Sequence, residues 1–112
     1  MNAANGNCWH VYIIRCDDDS LYTGITTDIE RRWREHGGHP RAAGPAARGA
    51  KFFRGRRPLQ LAYLEGGHDR ASAARREAAI KRMARAAKLI LLTTEINELA
   101  SWERERLLPF GY

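Results

Sequence analysis

Five side chains and one glycine in this sequence stand out as able to do chemistry: Tyr12, Tyr22, Arg32, His36 and Glu77, with Gly24 close to the second tyrosine. Phenols and an imidazole can move protons. An arginine fork holds phosphate oxygens, and a lone carboxylate can anchor one hard divalent cation. Each residue also has an ordinary reading. A tyrosine in a half-buried strand is usually core, Arg32 can serve a structural ion pair, and Glu77 stands at the i, i+4 spacing of a helical pair with Lys81. Gly24 fits a place of close packing or close backbone approach. More familiar catalytic kits are missing: there is no P-loop, HExxH, GxSxG or Cys/His cluster with zinc spacing.

The elements that must position these residues can be read from local pattern. Trp9 to Cys16 (WHVYIIRC) is β-branched and aromatic and predicts a strand. Asp17-Asp18-Asp19-Ser20 predicts a solvated turn, and Leu21 to Ile25 (LYTGI) a second strand that closes a hairpin. The three aspartates lack the spaced ligands and glycine of a calcium loop. Thr27 and Glu30 have capping-box spacing, with Thr27 as N-cap, for a helix running to about His36 and stopped by Gly37-Gly38. On it Ile29, Arg32, Trp33 and His36 share one face, which sets Arg32 and His36 on or beside the apolar stripe. A long loop, Gly38 to Pro58, follows, with Phe52 and Phe53 among its basic residues. Those rings read equally as stacking platforms for bases and as staples to the core. Leu59 to Glu65 predicts a third strand ended by Gly66-Gly67. Asp69 caps a helix from about Arg70 to Ala87, with Glu77 bordering its buried face. A last amphipathic stretch lies within Leu89 to Leu108, with Leu92, Ile96, Leu99 and Ala100 on one side. Breaks near Met83 to Arg85 or before Thr94 fit equally.

Bulk properties narrow the setting. The 112 residues fit one domain with a modest core, and no apolar run approaches the roughly 18 residues of a membrane span. The polar start, MNAANGN, has no secretion-signal pattern, so a cytoplasmic location is expected. Cys8 and Cys16 suit reduced thiols rather than a disulfide framework. The net charge of +6 is concentrated. Arg31, Arg32, Arg34, Arg41, Arg48, Lys51, Arg54, Arg56 and Arg57 lie within one span against a single acid, Glu35, leaving ten basic and twelve acidic residues elsewhere. Such a block suits a polyanion, most simply nucleic acid, although a solvated basic face would look the same.

Val11-Tyr12-Ile13 and Tyr22-Thr23-Gly24, followed by the arginine helix ending ERRWREH and by Glu77 in AARREAAIK, resemble the GIY-YIG nuclease superfamily. The likeness covers about Trp9 to Lys88 and is nearest to short stand-alone bacterial members, related to the N-terminal incision domain of the excision repair nuclease. Val11 replaces the first glycine of the motif. The resemblance implies an α/β domain, a small three-stranded antiparallel sheet flanked by helices; with the polar start read as a flexible tail at 1–8, the domain is expected over residues 9–92. Residues 93–112 would add a C-terminal helical extension packed on the same domain. It also implies phosphodiester hydrolysis dependent on Mg²⁺ or Mn²⁺, with Glu77 as the metal ligand. Arg32 would hold the phosphate, Tyr12 or Tyr22 would activate the attacking water, and His36 would assist proton transfer or bind phosphate.

Two functions of different class follow. The first is an endonuclease acting on DNA, structure-selective or weakly sequence-specific, in repair or recombination, with Arg31, Arg41, Arg48, Lys51, Arg54, Arg56 and Arg57 tracking the phosphate backbone. The alternative is a non-catalytic nucleic-acid-binding module with the same fold. A protein-interaction domain using the C-terminal helix is a third, weaker reading. No target-recognition domain is evident, which leaves room for a protein partner.

Overall fold

A computed structural model describes residues 8–38 and 53–106. Arg41, Arg48, Lys51 and Phe52, and most of the basic loop, lie outside the described residues.

The hairpin forms where composition places it. Strands β1 (Trp9–Cys16) and β2 (Leu21–Thr26) pair antiparallel, with Tyr12 opposite Gly24 and Ile14 opposite Tyr22. The turn between them places Asp19 at φ 70°, the left-handed region that aspartate tolerates better than most residues. It is more than a solvated turn. Asp18 pairs with Arg56 at 2.8 Å, and Asp17 accepts from the Arg57 backbone N–H at 3.1 Å, so the acidic tip grips the end of the basic loop.

Strand β3 (Pro58–His68) pairs antiparallel with β1, giving the order β2-β1-β3. It does not stop at Gly66-Gly67. Gly67, at φ 78°, takes a conformation closed to most side chains, yet pairing resumes with His68 opposite Trp9. Register shifts along β1–β3 accommodate this irregularity.

The centre of the sheet is apolar on both faces because both are covered. Tyr12, Ile14 and Cys16 pack with Leu61, Leu64, Ile29, Trp33 and Trp102. Val11 and Ile13 point the other way, to Ile25, Tyr63, Ala73, Ile80 and Leu91. Fully burying a side chain such as Ile13 or Ile14 contributes about 1.5–3 kcal/mol. β1 is therefore the central plank.

Helix α1 (Ile29–Trp33) is capped by Asp28, not by Thr27: Asp28 Oδ1 accepts from the Arg31 backbone N–H at 3.1 Å. Thr26 accepts from the Asp28 N–H at 3.0 Å, fixing the entry of the chain one residue later than the Thr27/Glu30 pattern suggests. The helix then widens into a π-helical segment, Arg34–Gly38.

Helix α2 (Arg70–Lys81) starts with a reciprocal cap, Asp69 accepting from the Ser72 N–H at 2.7 Å and Ser72 Oγ from the Asp69 N–H at 3.2 Å. It ends earlier than residue 87, breaking at Arg82 to Ala84 before a separate helix α3 (Arg85–Leu91). Turns follow to α4 (Leu99–Arg106). Asn97 ties that connection to β3, its Oδ1 accepting from Leu64 N–H and its Nδ2 donating to Ala62 O. Ile96 is 51 % exposed, so the long apolar side expected from Leu92 through Ala100 is interrupted. α4 packs on β3, and Trp102 enters the core beside Tyr12. No helix among the described residues is long and apolar enough to cross a membrane.

Candidate active site

Tyr12 is the pivot. Its side chain projects from the central strand toward β2, so that its ring tip lies over Gly24. A Cβ at Gly24 would come within 2.6 Å of Tyr12 Cζ, which explains the glycine by close approach rather than by backbone strain. The buried hydroxyl meets His36 Nε2 at 2.7 Å. Tyr22, half-buried two residues before Gly24, completes the group, with ring centroids 6.3 Å from Tyr12 and 5.0 Å from His36.

The π-helical segment carries His36 into this contact. Such widened turns concentrate at functional sites, where they re-aim a side chain. Phe53 closes the group, 5.1 Å from Tyr22 and 4.7 Å from His36 between centroids. It behaves as a staple of the loop end against the site, the second of the two readings of that residue.

Arg32 stands one turn before His36. Its Nη1 lies 2.8 Å from Glu35 Oε1, and its side chain is only 13 % exposed. Its Nε is buried with no hydrogen-bond partner among the described residues. A dry, unused guanidinium donor at the border of the site is suited to a phosphate oxygen. Among the expected nucleic-acid contacts, Arg31, Arg54 and Arg57 are exposed, Arg31 lying 3.7 Å from Glu35, while Arg56 is held by Asp18 at 2.8 Å.

Glu77 belongs to another part of the fold. Helix α2 covers the sheet face opposite Tyr12, and the ion-pair partner of Glu77 is Lys81, Oε2 to Nζ at 3.1 Å. The structure thus assembles Tyr12, Tyr22 and His36, carries Arg32 one helical turn before His36 where it pairs with Glu35, and keeps Glu77 on the helix that covers the opposite sheet face. β2 is an edge strand over which the Tyr12 ring reaches, and α2 packs on that same strand from behind.

No three His, Cys, Asp or Glu side chains cluster as a metal cage among the described residues. The donor set does fit the manner in which Mg²⁺ is commonly held, by one carboxylate together with waters and substrate phosphate oxygens. Glu77 is the carboxylate expected for it: its side chain is 14 % exposed and pairs with Lys81, which is itself half exposed.

A second polar group escapes motif reading altogether. Glu65, on β3, is 8 % exposed and accepts from the Tyr63 hydroxyl, from Arg76 Nε at 3.0 and 3.2 Å, and lies 2.6 Å from His68 Nε2. Burial pushes its carboxyl up, but the combined donors outweigh that and hold it below the ordinary carboxylate range. Burial, together with the bond to Glu65, pushes the Tyr63 phenol well above its usual value. The available signal was Tyr63 and Glu65 at strand period 2, which sets a carboxylate on the face that holds Val11 and Ile13.

Comparison with known proteins decides the family. Residues 8–89 match the GIY-YIG catalytic domain. The chain belongs to the GIY-YIG family. That domain is a nuclease fold, and nucleases built on it generally depend on a divalent metal. The chain is 46% identical to a UPF0213 protein of Haloquadratum walsbyi over 91 residues, 80% of this chain and 93% of that one. It is 36% identical to a UPF0213 protein of Clostridium perfringens, over 86% and 95% of the two chains. A solution NMR structure of a UPF0213 protein from Bacillus halodurans is 34% identical, covers 79% of this chain and 85% of that one, and has a TM-score of 0.47. The matched domain ends at residue 89, so α4 and its Trp102 lie beyond it.

Proposed function

We propose that this GIY-YIG protein is a cytoplasmic endonuclease that hydrolyses phosphodiester bonds of DNA with Mg²⁺ or Mn²⁺, structure-selectively or with weak sequence preference, in repair or recombination. The observation that carries the proposal is the buried Tyr12–His36 contact beneath Tyr22. A phenol has an ordinary pKa of about 10, so it needs an acceptor to serve as a proton carrier near neutrality. His36, with Nε2 at 2.7 Å, supplies one in the tautomer that carries its proton on Nδ1. In this reading an attacking water gives its proton to the Tyr12 oxygen as Tyr12 passes its own to His36. Tyr22, the less buried phenol, orients that water. Arg32 takes a non-bridging phosphate oxygen and stabilises the charge that grows on it. Glu77 would hold the divalent cation, which when bound would supply positive charge against the negative charge that develops during cleavage. Arg31, Arg54 and Arg57 would follow the backbone of the substrate, giving salt-sensitive binding.

A non-catalytic binding module is the second reading, favoured by the Glu77–Lys81 pair, which occupies one oxygen of the carboxylate. Cleavage of labelled single-stranded, duplex and branched DNA distinguishes the two. The nuclease cuts with Mg²⁺ or Mn²⁺, stops in EDTA, and loses cutting but not DNA binding in Glu77→Ala and Arg32→Ala. Tight, salt-sensitive binding without cutting in any metal would refute the nuclease in favour of the module.

A further inference from the structure

We infer that Glu65 is a positioning residue for Glu77, acting through Arg76 to fix the rotation of helix α2; the inference rests on Glu77 as the metal ligand proposed above.

The reason lies in how little else holds that helix. Of its twelve residues only Ala73 and Ile80 are buried, and Ala73 has no side chain beyond a methyl. Two buried apolar side chains, one of them small, constrain tilt well and rotation poorly, and the further tie of Arg70 over the Trp9 ring, at 5.8 Å, lies at the very start of the helix. Ala73, Arg76, Glu77 and Ile80 fall at i, i+3, i+4 and i+7, so they share the inner face. Arg76 is the member of that face tied to the sheet by directed bonds: its Nε reaches both Glu65 oxygens, at 3.0 and 3.2 Å. The acceptor is itself immobilised, because the Tyr63 hydroxyl and His68 Nε2 hold the same carboxylate and His68 Nδ1 lies 2.9 Å from Ser72 Oγ in the cap of α2. The network therefore grips α2 at its first turn and again at Arg76. The next residue along the chain is Glu77. Removing the Glu65 charge frees the helix to rotate about its apolar contacts and carries the Glu77 carboxylate with it.

A residue that orients a metal ligand from behind typically changes metal affinity by about 10–100-fold when altered. The test is an NMR titration with Mg²⁺ of the full chain, following the Glu77 side-chain carboxyl carbon, assigned by its loss in Glu77→Ala. Thermal melting is measured on the same samples. Glu65→Gln keeps the shape of the side chain but removes its charge; it is expected to stay folded and to need roughly tenfold more Mg²⁺ for half of the Glu77 shift. Tyr63→Phe removes one donor while leaving the Arg76–Glu65 bonds, and is expected to lower the melting temperature without moving the Mg²⁺ curve. If Glu65→Gln does not fold, Arg76→Lys takes its place, since lysine has no Nε–H fork and the same rise is expected. A Mg²⁺ curve unchanged in the folded Glu65→Gln or Arg76→Lys protein overturns the inference while leaving Glu77 as ligand. So does a rise that tracks melting temperature equally in Tyr63→Phe, which marks a merely structural network. A wild-type Glu77 signal that ignores Mg²⁺ overturns the metal assignment itself, and this inference with it.

Discussion

Replacing Gly24 by alanine sets two physical effects against each other, and the structure decides between them. On propensity alone the change should help, because glycine inside a strand costs roughly 0.5–1 kcal/mol relative to alanine. The added methyl, however, would sit 2.6 Å from Tyr12 Cζ, whereas ordinary contact begins at 3.4 Å, so ring and strand must part by about 0.8 Å. The ring is 1 % exposed and wedged among Ile14, Trp33 and Leu64, so it has no room to yield cheaply. Overpacking of this kind costs about 1–3 kcal/mol. The net expectation is a loss of stability, seen as a melting temperature lower by several degrees in a domain of about this size. A displacement of that size disturbs the 2.7 Å Tyr12–His36 contact, whichever way the ring moves, because hydrogen bonds tolerate only a few tenths of an ångström. Misplacing a reacting group by about 1 Å can cost on the order of 10²-fold in rate. Thermal melting and DNA cleavage of Gly24→Ala measure both effects, and Tyr12→Leu provides the control. With the ring gone, alanine at 24 should become neutral or stabilising. An equal loss in both backgrounds, or a gain in the wild-type background, would refute the steric argument.

Other changes probe the neighbouring parts. Arg32→Lys keeps the charge but loses the fork; cleavage should fall about 10²-fold while the melting temperature moves little, and a rate near wild type would remove Arg32 from the site. Trp102→Ala should cost about 3–5 kcal/mol in urea unfolding, because Trp102 is 8 % exposed in the core cluster of Tyr12; a loss below about 1 kcal/mol would mean that α4 is dispensable. The Ser20 hydroxyl and then Arg56 hold the Asp18 carboxyl down at about 2, from an ordinary 3.8. This depressed value means that any stabilisation it lends is complete above the ordinary range and is lost as pH falls through about 2. In an NMR titration Arg56→Ala should raise the Asp18 midpoint only part of the way, since Ser20 remains, and Ser20→Ala should raise it further.

Much of this protein is legible in its sequence because the deciding signals are local. Alternation around Tyr12 and Tyr22, with a polar turn between them, specifies a hairpin whatever follows. Asp69 and Ser72 cap α2 from within one turn. The order of Tyr12, Tyr22, Gly24, Arg32 and Glu77 carries the family. Local choices between near-equal neighbours were not legible: Thr27 and Asp28 can both cap, and the backbone path set by Thr26 selects Asp28. Nor was the passage of β3 through Gly66-Gly67, because two glycines weaken a strand but cannot forbid one that pairs with β1 on its far side.

The sequence by itself determined which residues sit on which face of each element, since periods of 2 and 3.6 are properties of the chain. Only the tertiary structure decided what those faces meet. The need for glycine at 24 comes from a tyrosine twelve residues away. The partner of that tyrosine, His36, is delivered by a widened helical turn, and Glu65 finds Arg76 only after a strand and a helix have docked. Such contacts depend on register and packing angle, which are set by the whole core at once and leave no periodic trace in any one segment.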